Sequence, residues 1–222
     1  NHAEYVLEER MAKNENTVIE FLDDLLEAAL PSGRDDIEAL ANLAEELDGI
    51  KTIERHDIAY YAEKLKKQQL DIDDEALKPY FELESTVNGL FDIAGRLYGI
   101  QLKSREDIST YHEDVRTYEV VDDNGQFVSL LYVDLFPRPG KRAGAWMTSY
   151  GGQYKDNNKN HRPLVSIVCN FTKPSKSTPS LLTFNEVTTL FHEFGHALHG
   201  MLANSTYESL SGTSVYWDFV GL

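Results

Sequence analysis

The spacing of apolar residues changes along the chain, and that change limits the fold more than any other feature of the sequence. Up to about residue 100, apolar residues recur every three or four positions, the period of an amphipathic helix. After about residue 115 the chain is rich in β-branched and aromatic residues, in runs bounded by turn-forming residues. Near the end the helical period returns. This order predicts an α+β fold that is predominantly α-helical and contains a small β-sheet.

Four helices are predicted in the first hundred residues. An apolar stripe over residues 18–29 is followed by Pro31-Ser32-Gly33, which we expect to break the first helix. A second stripe over residues 37–47 ends at Gly49, a residue that tolerates the left-handed conformation at a helix end. Two more helices are predicted over residues 57–67 and 83–98. The residues of the last helix that can face a core are Val87, Leu90, Phe91, Ala94 and Leu97.

The strands are predicted from residue 118 onward. Residues 118–121 and 127–133 flank an Asp-Asp-Asn-Gly turn and read as a hairpin, and residues 164–169 are a further strand. That further strand is either an ordinary core strand or one that pairs with an extended peptide. Residues 149–162 are polar and contain two glycines and two asparagines, so we expect an exposed, mobile loop there.

The charge of the chain is concentrated in its first part. The net charge is −16 at pH 7, and residues 1–135 carry 13 basic and 32 acidic residues. Acidic side chains interspersed with helical apolar stripes indicate a solvated helix surface that disfavours nucleic acid. No run of about 18 uncharged apolar residues is present, so no membrane span is expected. A single cysteine cannot form an internal disulfide, which suits a reducing compartment.

The last predicted helix carries the residues that point to chemistry. It begins at Thr183, which has the spacing of a capping box with Glu186. His192 and His196 are four residues apart, so both imidazoles leave one face of the helix and can ligate one zinc ion. Glu193 is placed to accept a proton from a metal-bound water, and this combination hydrolyses amides. The alternative is a surface helix that carries two histidines by chance.

The spacing does not identify a third zinc ligand. The third histidine of metzincins would fall at residue 202, which is leucine, so that class is excluded. His199 lies on the same broad face, but joint ligation would be strained, and we interpret it as a helix-surface or supporting residue. Glu208 and Asp218 are the remaining downstream carboxylates, and neither is favoured by spacing alone.

Residues 181–200, LLTFNEVTTLFHEFGHALHG, resemble the thimet oligopeptidase family of zinc peptidases, in particular its bacterial peptidyl-dipeptidase and oligopeptidase A branch. The resemblance extends to SGTSV at 211–215, DFV at 218–220, YVDLFPR at 132–138, CNFT at 169–172 and YFEL at 80–83. Together these segments spread the similarity over nearly the whole chain.

The resemblance implies a zincin-like catalytic core with the small sheet beside the zinc helix. His192 and His196 would be zinc ligands and Glu193 the general base. The substrates would be short unfolded peptides in the cytoplasm, with neither nucleic acid nor membrane as a partner. Residues 1–115 would form a helical segment and residues 116–222 the sheet and zinc helix, both within one larger catalytic domain. Family members are much longer, so the resemblance also implies that the chain is incomplete.

One position departs from the family pattern. The family's third zinc ligand is a glutamate directly after Asp-Phe-Val, and here that position is Gly221, which has no side chain. We therefore expect the chain as given to bind zinc weakly and to cleave little. The alternative is a non-catalytic peptide-binding or scaffold domain that has lost the metal site. Apolar surface exposed by truncation would favour self-association.

Overall fold

The computed structural model describes residues 1–8, 10–70 and 74–220, with the side chain of residue 74 left out. The helices are α1 (His2–Leu7), α2 (Glu15–Asp48), α3 (Ile58–Leu70), α4 (Asp74–Leu77), α5 (Leu83–Tyr98), α6 (Phe184–Met201) and α7 (Trp217–Val220). The strands are β1 (Ile100–Ser104), β2 (Arg116–Asp122), β3 (Phe127–Asp134), β4 (Trp146–Gly151), β5 (Tyr154–Asp156), β6 (Lys159–His161) and β7 (Leu164–Val168). The fold is α+β and predominantly helical, as the apolar spacing predicts.

The chain forms two compact units. One comprises Asn1–Asp73 with Tyr216–Phe219, and the other comprises Asp74–Val215 with Val220–Leu222. The predicted segments 1–115 and 116–222 both contain strands, because β1 lies in the first of them. Their place within one larger catalytic domain stays a prediction. None of the helices in the described ranges has the length and apolar character needed to cross a membrane.

The first unit is built around one long helix. The predicted break at Pro31 is wrong, because α2 continues through that residue. Proline removes one backbone hydrogen bond inside a helix. The residues just before Pro31 (27–30) favour helix, whereas Ser32 and Gly33 after it do not. Among the described residues, the buried side chains of α2 lie in its last third, where Leu40, Leu43 and Ala44 pack against Tyr61 of α3. Earlier apolar side chains stay exposed, namely Ile19, Phe21, Leu22, Leu25, Leu26 and Leu30.

The second unit is a five-stranded sheet with helices on it. The strand order is β1-β2-β3-β7-β4, with β3 and β7 parallel and the other neighbours antiparallel. Helix α6 packs on β7, β4 and β3, and α5 packs on β1. Val87, Leu90 and Ala94 of α5 are buried in this core as predicted, whereas Leu97 is 69% exposed and does not face it.

The sheet corrects two predictions about the chain between residues 149 and 169. The predicted loop contains the end of β4 and a separate hairpin of β5 and β6, whose turn residues Asn157 and Asn158 have positive φ. Strand β7 is flanked by β3 and β4, so it is a core strand and has no free edge for a peptide. The free edge on this side of the sheet belongs to β4.

Candidate active site

The start of α6 fixes how the helix lies on the sheet. The Thr183 hydroxyl accepts a hydrogen bond from the Glu186 amide (3.1 Å), and the Glu186 carboxylate accepts one from the Thr183 amide (2.8 Å). This is the predicted capping box. Leu190, Phe194 and Ala197 are then buried against the sheet. Because these apolar residues select one face, the neighbouring face of α6 is turned away from the core.

That outward face brings the two predicted ligand histidines together. The Nε2 atoms of His192 and His196 lie 3.0 Å apart, and the rings are nearly perpendicular. His192 is exposed and His196 is half-buried. Two nitrogens bound to one tetrahedral zinc at about 2.0–2.1 Å lie roughly 3.3 Å apart, so the pair fits two positions of a zinc site. The same distance also permits a direct hydrogen bond between the rings.

Glu193 lies in a cleft beside this pair. The cleft has a volume of about 330 Å³, and its lining includes His196, Thr213 and the stretch 145–147 that begins β4. Glu193 is only 8% exposed. Among the described residues its carboxylate has no hydrogen-bond partner. Its carboxylate oxygens are not among the fully buried polar atoms that lack a partner, so they open onto this cleft, beside the two converging imidazoles. This placement is what a general base for a metal-bound water requires.

Cys169 is not part of the chemistry. Its side chain is fully buried at the end of β7. Burial, followed by the nearby charge of Glu193, raises the pKa of the Cys169 thiol to about 12. The thiol therefore stays protonated at neutral pH and behaves as a small core side chain.

The described residues do not complete the metal site. Within them, no group of three or more His, Cys, Asp or Glu side chains is arranged to hold a metal ion. Glu208 accepts a hydrogen bond from the Gly152 amide (3.0 Å), and Asp218 accepts one from the Met11 amide (2.6 Å). His199 lines a different cleft, of about 460 Å³, together with apolar side chains such as Leu198 and Leu202. Position 221, where the resemblance places the third ligand, lies outside the described residues.

A second cleft continues along the free edge of β4. It has a volume of about 230 Å³ and lies between β4 with the residues that follow it and the segment 211–214. Met147 and Thr213 line both this cleft and the one at Glu193. The two clefts therefore form one groove, with the edge of a β-strand as one wall.

The opposite wall of this groove is held by a buried glutamine. Gln153 is 1% exposed. Its side-chain oxygen accepts hydrogen bonds from the Ser205 amide (2.7 Å) and the Ser211 hydroxyl (3.0 Å). Its nitrogen donates to the Asn160 side chain (2.9 Å) and the Ser205 carbonyl (2.9 Å). Gln153 thus ties the hairpin after β4 to the segment 205–211. The sequence contains no local signal for it, because its partners Ser205 and Ser211 lie 52 and 58 positions away along the chain.

A buried charge network sets where the chain enters β4. Asp134, at the end of β3, receives two hydrogen bonds from the Arg138 guanidinium (2.8 Å each) and one from the Lys141 ammonium (2.9 Å). Lys141 is 3% exposed. Its ammonium group also donates to three backbone carbonyls, those of Asp134 (3.1 Å), Phe136 (2.7 Å) and Cys169 (2.6 Å). The turn before β4 is thereby fixed to the ends of β3 and β7.

The close approach of two glycines gives a first testable prediction. Gly212 has φ +57°, and a Cβ there would lie 3.0 Å from the Gly200 Cα of α6. Gly125 also has a positive φ, +76°, but no atom lies within 4 Å of its Cβ position. Replacing Gly125 with alanine should cost about 1 kcal/mol of unfolding free energy, from backbone strain alone. Replacing Gly212 should cost at least about 1 kcal/mol more, because the segment must also move off the helix.

The measurement is urea unfolding of both variants beside the original protein. Equal losses in the two variants would show that the contact with Gly200 contributes nothing to the stability of this wall.

Comparisons with known proteins cover the whole chain. The family model described as peptidase family M3 matches residues 1–222. Oligopeptidase A of Escherichia coli K12 is 42% identical over 224 residues, which is all of this chain and 33% of that protein. Dipeptidyl carboxypeptidase of the same organism is 39% identical over 221 residues, which is 99% of the chain and 32% of that protein. Saccharolysin of Saccharomyces cerevisiae is 33% identical over 236 residues. The chain spans about a third of the length of these relatives.

Proposed function

The chain belongs to peptidase family M3, and from that membership we propose that it supplies the metal-binding helix of a zinc-dependent oligopeptidase. The observation that carries this proposal is the pair of converging nitrogens of His192 and His196 beside the cleft-facing carboxylate of Glu193, which has no hydrogen-bond partner among the described residues. Two relatives carry the names oligopeptidase A and dipeptidyl carboxypeptidase. These names support short peptides as the proposed substrates and peptidyl-dipeptidase-like cleavage as the proposed reaction. The cytoplasm is the proposed compartment, and the acidic surface of residues 1–135 argues against nucleic acid as a partner.

Each residue of the site has a role in this proposal. His192 and His196 would hold zinc through their Nε2 atoms, and zinc supplies a Lewis acid that activates water and polarises the peptide carbonyl. Glu193 takes a proton from the attacking water and returns it to the nitrogen of the departing amine. The carboxylate opens onto the cleft where the peptide would lie, so it can reach the attacking water.

The free edge of β4 is the proposed binding surface for the substrate backbone. An extended peptide can add to this edge as a further strand, with its main chain hydrogen-bonded to β4. The strand begins at Trp146, which lines the cleft that contains Glu193 and His196. A peptide paired with β4 therefore passes the proposed reacting groups.

Gly221 limits what the chain does as given. A catalytic zinc site needs three protein ligands, and glycine at the family's ligand position contributes none. We propose that the chain alone holds zinc weakly and cleaves little. This same residue favours the second candidate, a non-catalytic peptide-binding or scaffold domain. A whole protein that binds peptides, lacks zinc and cleaves nothing would support that candidate.

The exposed apolar stripe of α2 leads to a proposal about assembly. Leu22, Leu25 and Leu26 are each more than half exposed on one helix. A contiguous apolar stripe of this kind is a site of protein contact. We propose that the isolated chain self-associates through it, and concentration-dependent sedimentation would detect this.

The test of the proposed function is zinc affinity. Replacing His192 or His196 with alanine should weaken zinc binding by at least about tenfold, roughly 1.4 kcal/mol, because each change removes one nitrogen ligand. His199→Ala is the matched control on the same helix and should leave affinity within about twofold. Gly221→Glu should tighten binding by at least about tenfold.

The measurement is zinc titration against a competing chelator. Equal losses of zinc affinity from replacing residues 192, 196 and 199 would reject the assigned ligand pair. Unchanged zinc affinity in all of the variants would reject the metal site itself.

A further inference from the structure

The groove along β4 carries charge at one end. Among the described residues that line its second cleft, only Glu208 is charged. Its Oε1 atom accepts the hydrogen bond from the Gly152 amide, one residue beyond the end of β4. No described residue bonds to Oε2. The carboxylate therefore lies on the strand edge with one oxygen available to a ligand in the groove.

Gly152 allows this placement of the carboxylate. A Cβ at residue 152 would lie 2.6 Å from Cγ and 2.7 Å from Oε1 of Glu208. Any larger residue there would push the glutamate side chain away from the strand. The hydrogen bond and the missing side chain together hold a negative charge at the far end of the groove.

The direction of a bound peptide follows from strand pairing. Antiparallel pairing is somewhat more stable than parallel pairing and repeats the arrangement of β4 on β7. Strand β4 runs from Trp146, at the Glu193 cleft, toward Gly151. An antiparallel peptide therefore has its amino side at Gly152 and Glu208. The negative charge then faces the end of the peptide that carries its terminal ammonium group.

The distance along the groove sets which residue Glu208 meets. Six positions separate Trp146 from Gly152, and the register shift between Ser149 and Gly151 removes one from the pairing. A peptide in strand conformation advances about 3.3 Å per residue. The group that reaches Glu208 thus belongs to a residue about five positions to the amino side of the cleaved bond.

We infer that Glu208 selects peptides with a cationic group about five residues to the amino side of the cleaved bond. The cation is either a free amino terminus or a lysine or arginine side chain, since both present N–H donors with positive charge. This inference rests on the proposed function, because it uses the cleaved bond to define the register. The recognition itself requires only that a peptide pairs with β4.

Peptide binding to the Glu193→Gln form of the whole protein tests the inference without turnover. Eight-residue peptides, acetylated at the amino end, would carry lysine, norleucine or glutamate at the chosen position. Because Glu208 is exposed, we expect lysine to bind about two- to fivefold more tightly than norleucine, and glutamate to bind more weakly. An unacetylated peptide whose first residue is norleucine at that position should bind as tightly as the acetylated lysine peptide. A peptide shortened by three residues at its amino end should show no charge preference.

Charge reversal separates a local effect from the overall charge. Glu208→Lys should reverse the order, so that the glutamate peptide binds most tightly. Asp156→Lys is the matched control, because Asp156 is exposed on β5 and its replacement changes the net charge equally. An unchanged preference in Glu208→Lys, or the same reversal in Asp156→Lys, overturns the inference.

Cleavage by the protein with Glu193 intact distinguishes this inference from the proposed function. A reversed binding preference without cleavage of any peptide rejects the oligopeptidase and leaves the role of Glu208 standing. Cleavage that ignores charge at residue 208 rejects the role of Glu208 alone. Binding of no peptide rejects both.

Discussion

Replacing Glu193 with glutamine should lower kcat for peptide hydrolysis by the whole zinc-loaded protein by about 10²- to 10⁴-fold. Glutamine has the same size and fits the same cleft, but its amide cannot accept the proton of the attacking water. The interactions that hold the peptide along β4 are unchanged, so KM should stay within about threefold. The reason for this large effect is the position of Glu193, buried beside His196 and without a partner among the described residues.

The matched control is Glu186→Gln on the same helix. Glutamine can replace glutamate in a capping box, so this variant should keep kcat within about twofold. Steady-state rates with a quenched fluorescent peptide would measure both variants. A Glu193→Gln enzyme that retains more than about a tenth of its kcat would contradict the role of Glu193 as the general base.

The second large effect is expected at Lys141, which has no role in the proposed chemistry. Replacing Lys141 with methionine should lower the free energy of unfolding by about 3–5 kcal/mol, the cost of breaking a buried ion pair from one side. Methionine fills much of the space but leaves the buried carbonyls of Phe136 and Cys169 without a donor. Lys155→Met changes an exposed lysine and should stay within about 0.5 kcal/mol.

Acid unfolding gives an independent measurement of the same network. Burial raises the pKa of Asp134, but hydrogen bonds from Arg138, Lys141 and Tyr111 outweigh burial and hold that pKa below its usual value. Its stabilising contribution is therefore present above a pH of about 3.9 and is lost as the pH falls through the lower folded pKa. Removing Lys141 raises the folded pKa of Asp134. The Lys141→Met protein should therefore lose stability at a higher pH than the original, and identical acid transitions would contradict the assigned pairing.

Local sequence signals predict much of the fold. The bounds of α5, the capping box of α6 and the hairpin of β2 and β3 all follow from patterns within a few residues. Signals that depend on distant contacts are missed. Strand β1 is recognised only through its pairing with β2, from which it is separated by residues 105–115. Helix α2 continues through Pro31 although Ser32 and Gly33 also disfavour helix, so local propensity alone predicts the wrong boundary there.

The candidate site divides in the same way. His192, Glu193 and His196 are predicted by helical spacing, because one turn of a helix fixes their relation. Their assignment as zinc ligands and general base stays a proposal. The groove beside them is not predictable from spacing. Strand β4 follows β3 along the chain but lies at the sheet edge, because the later strand β7 is inserted between them. The contacts of Gln153 with Ser211 and of Glu208 with Gly152 likewise join residues more than 50 positions apart.

The register shift in β4 has a consequence for solubility. An open strand edge can recruit the same edge of another molecule and begin aggregation. Between Ser149 and Gly151 the ladder to β7 is irregular, so the edge is straight only over its first few residues. A bulge of this kind twists a strand away from a flat partner. The open edge of β4 is thus long enough to pair with a short peptide but too irregular to pair along its length with the same edge of another molecule.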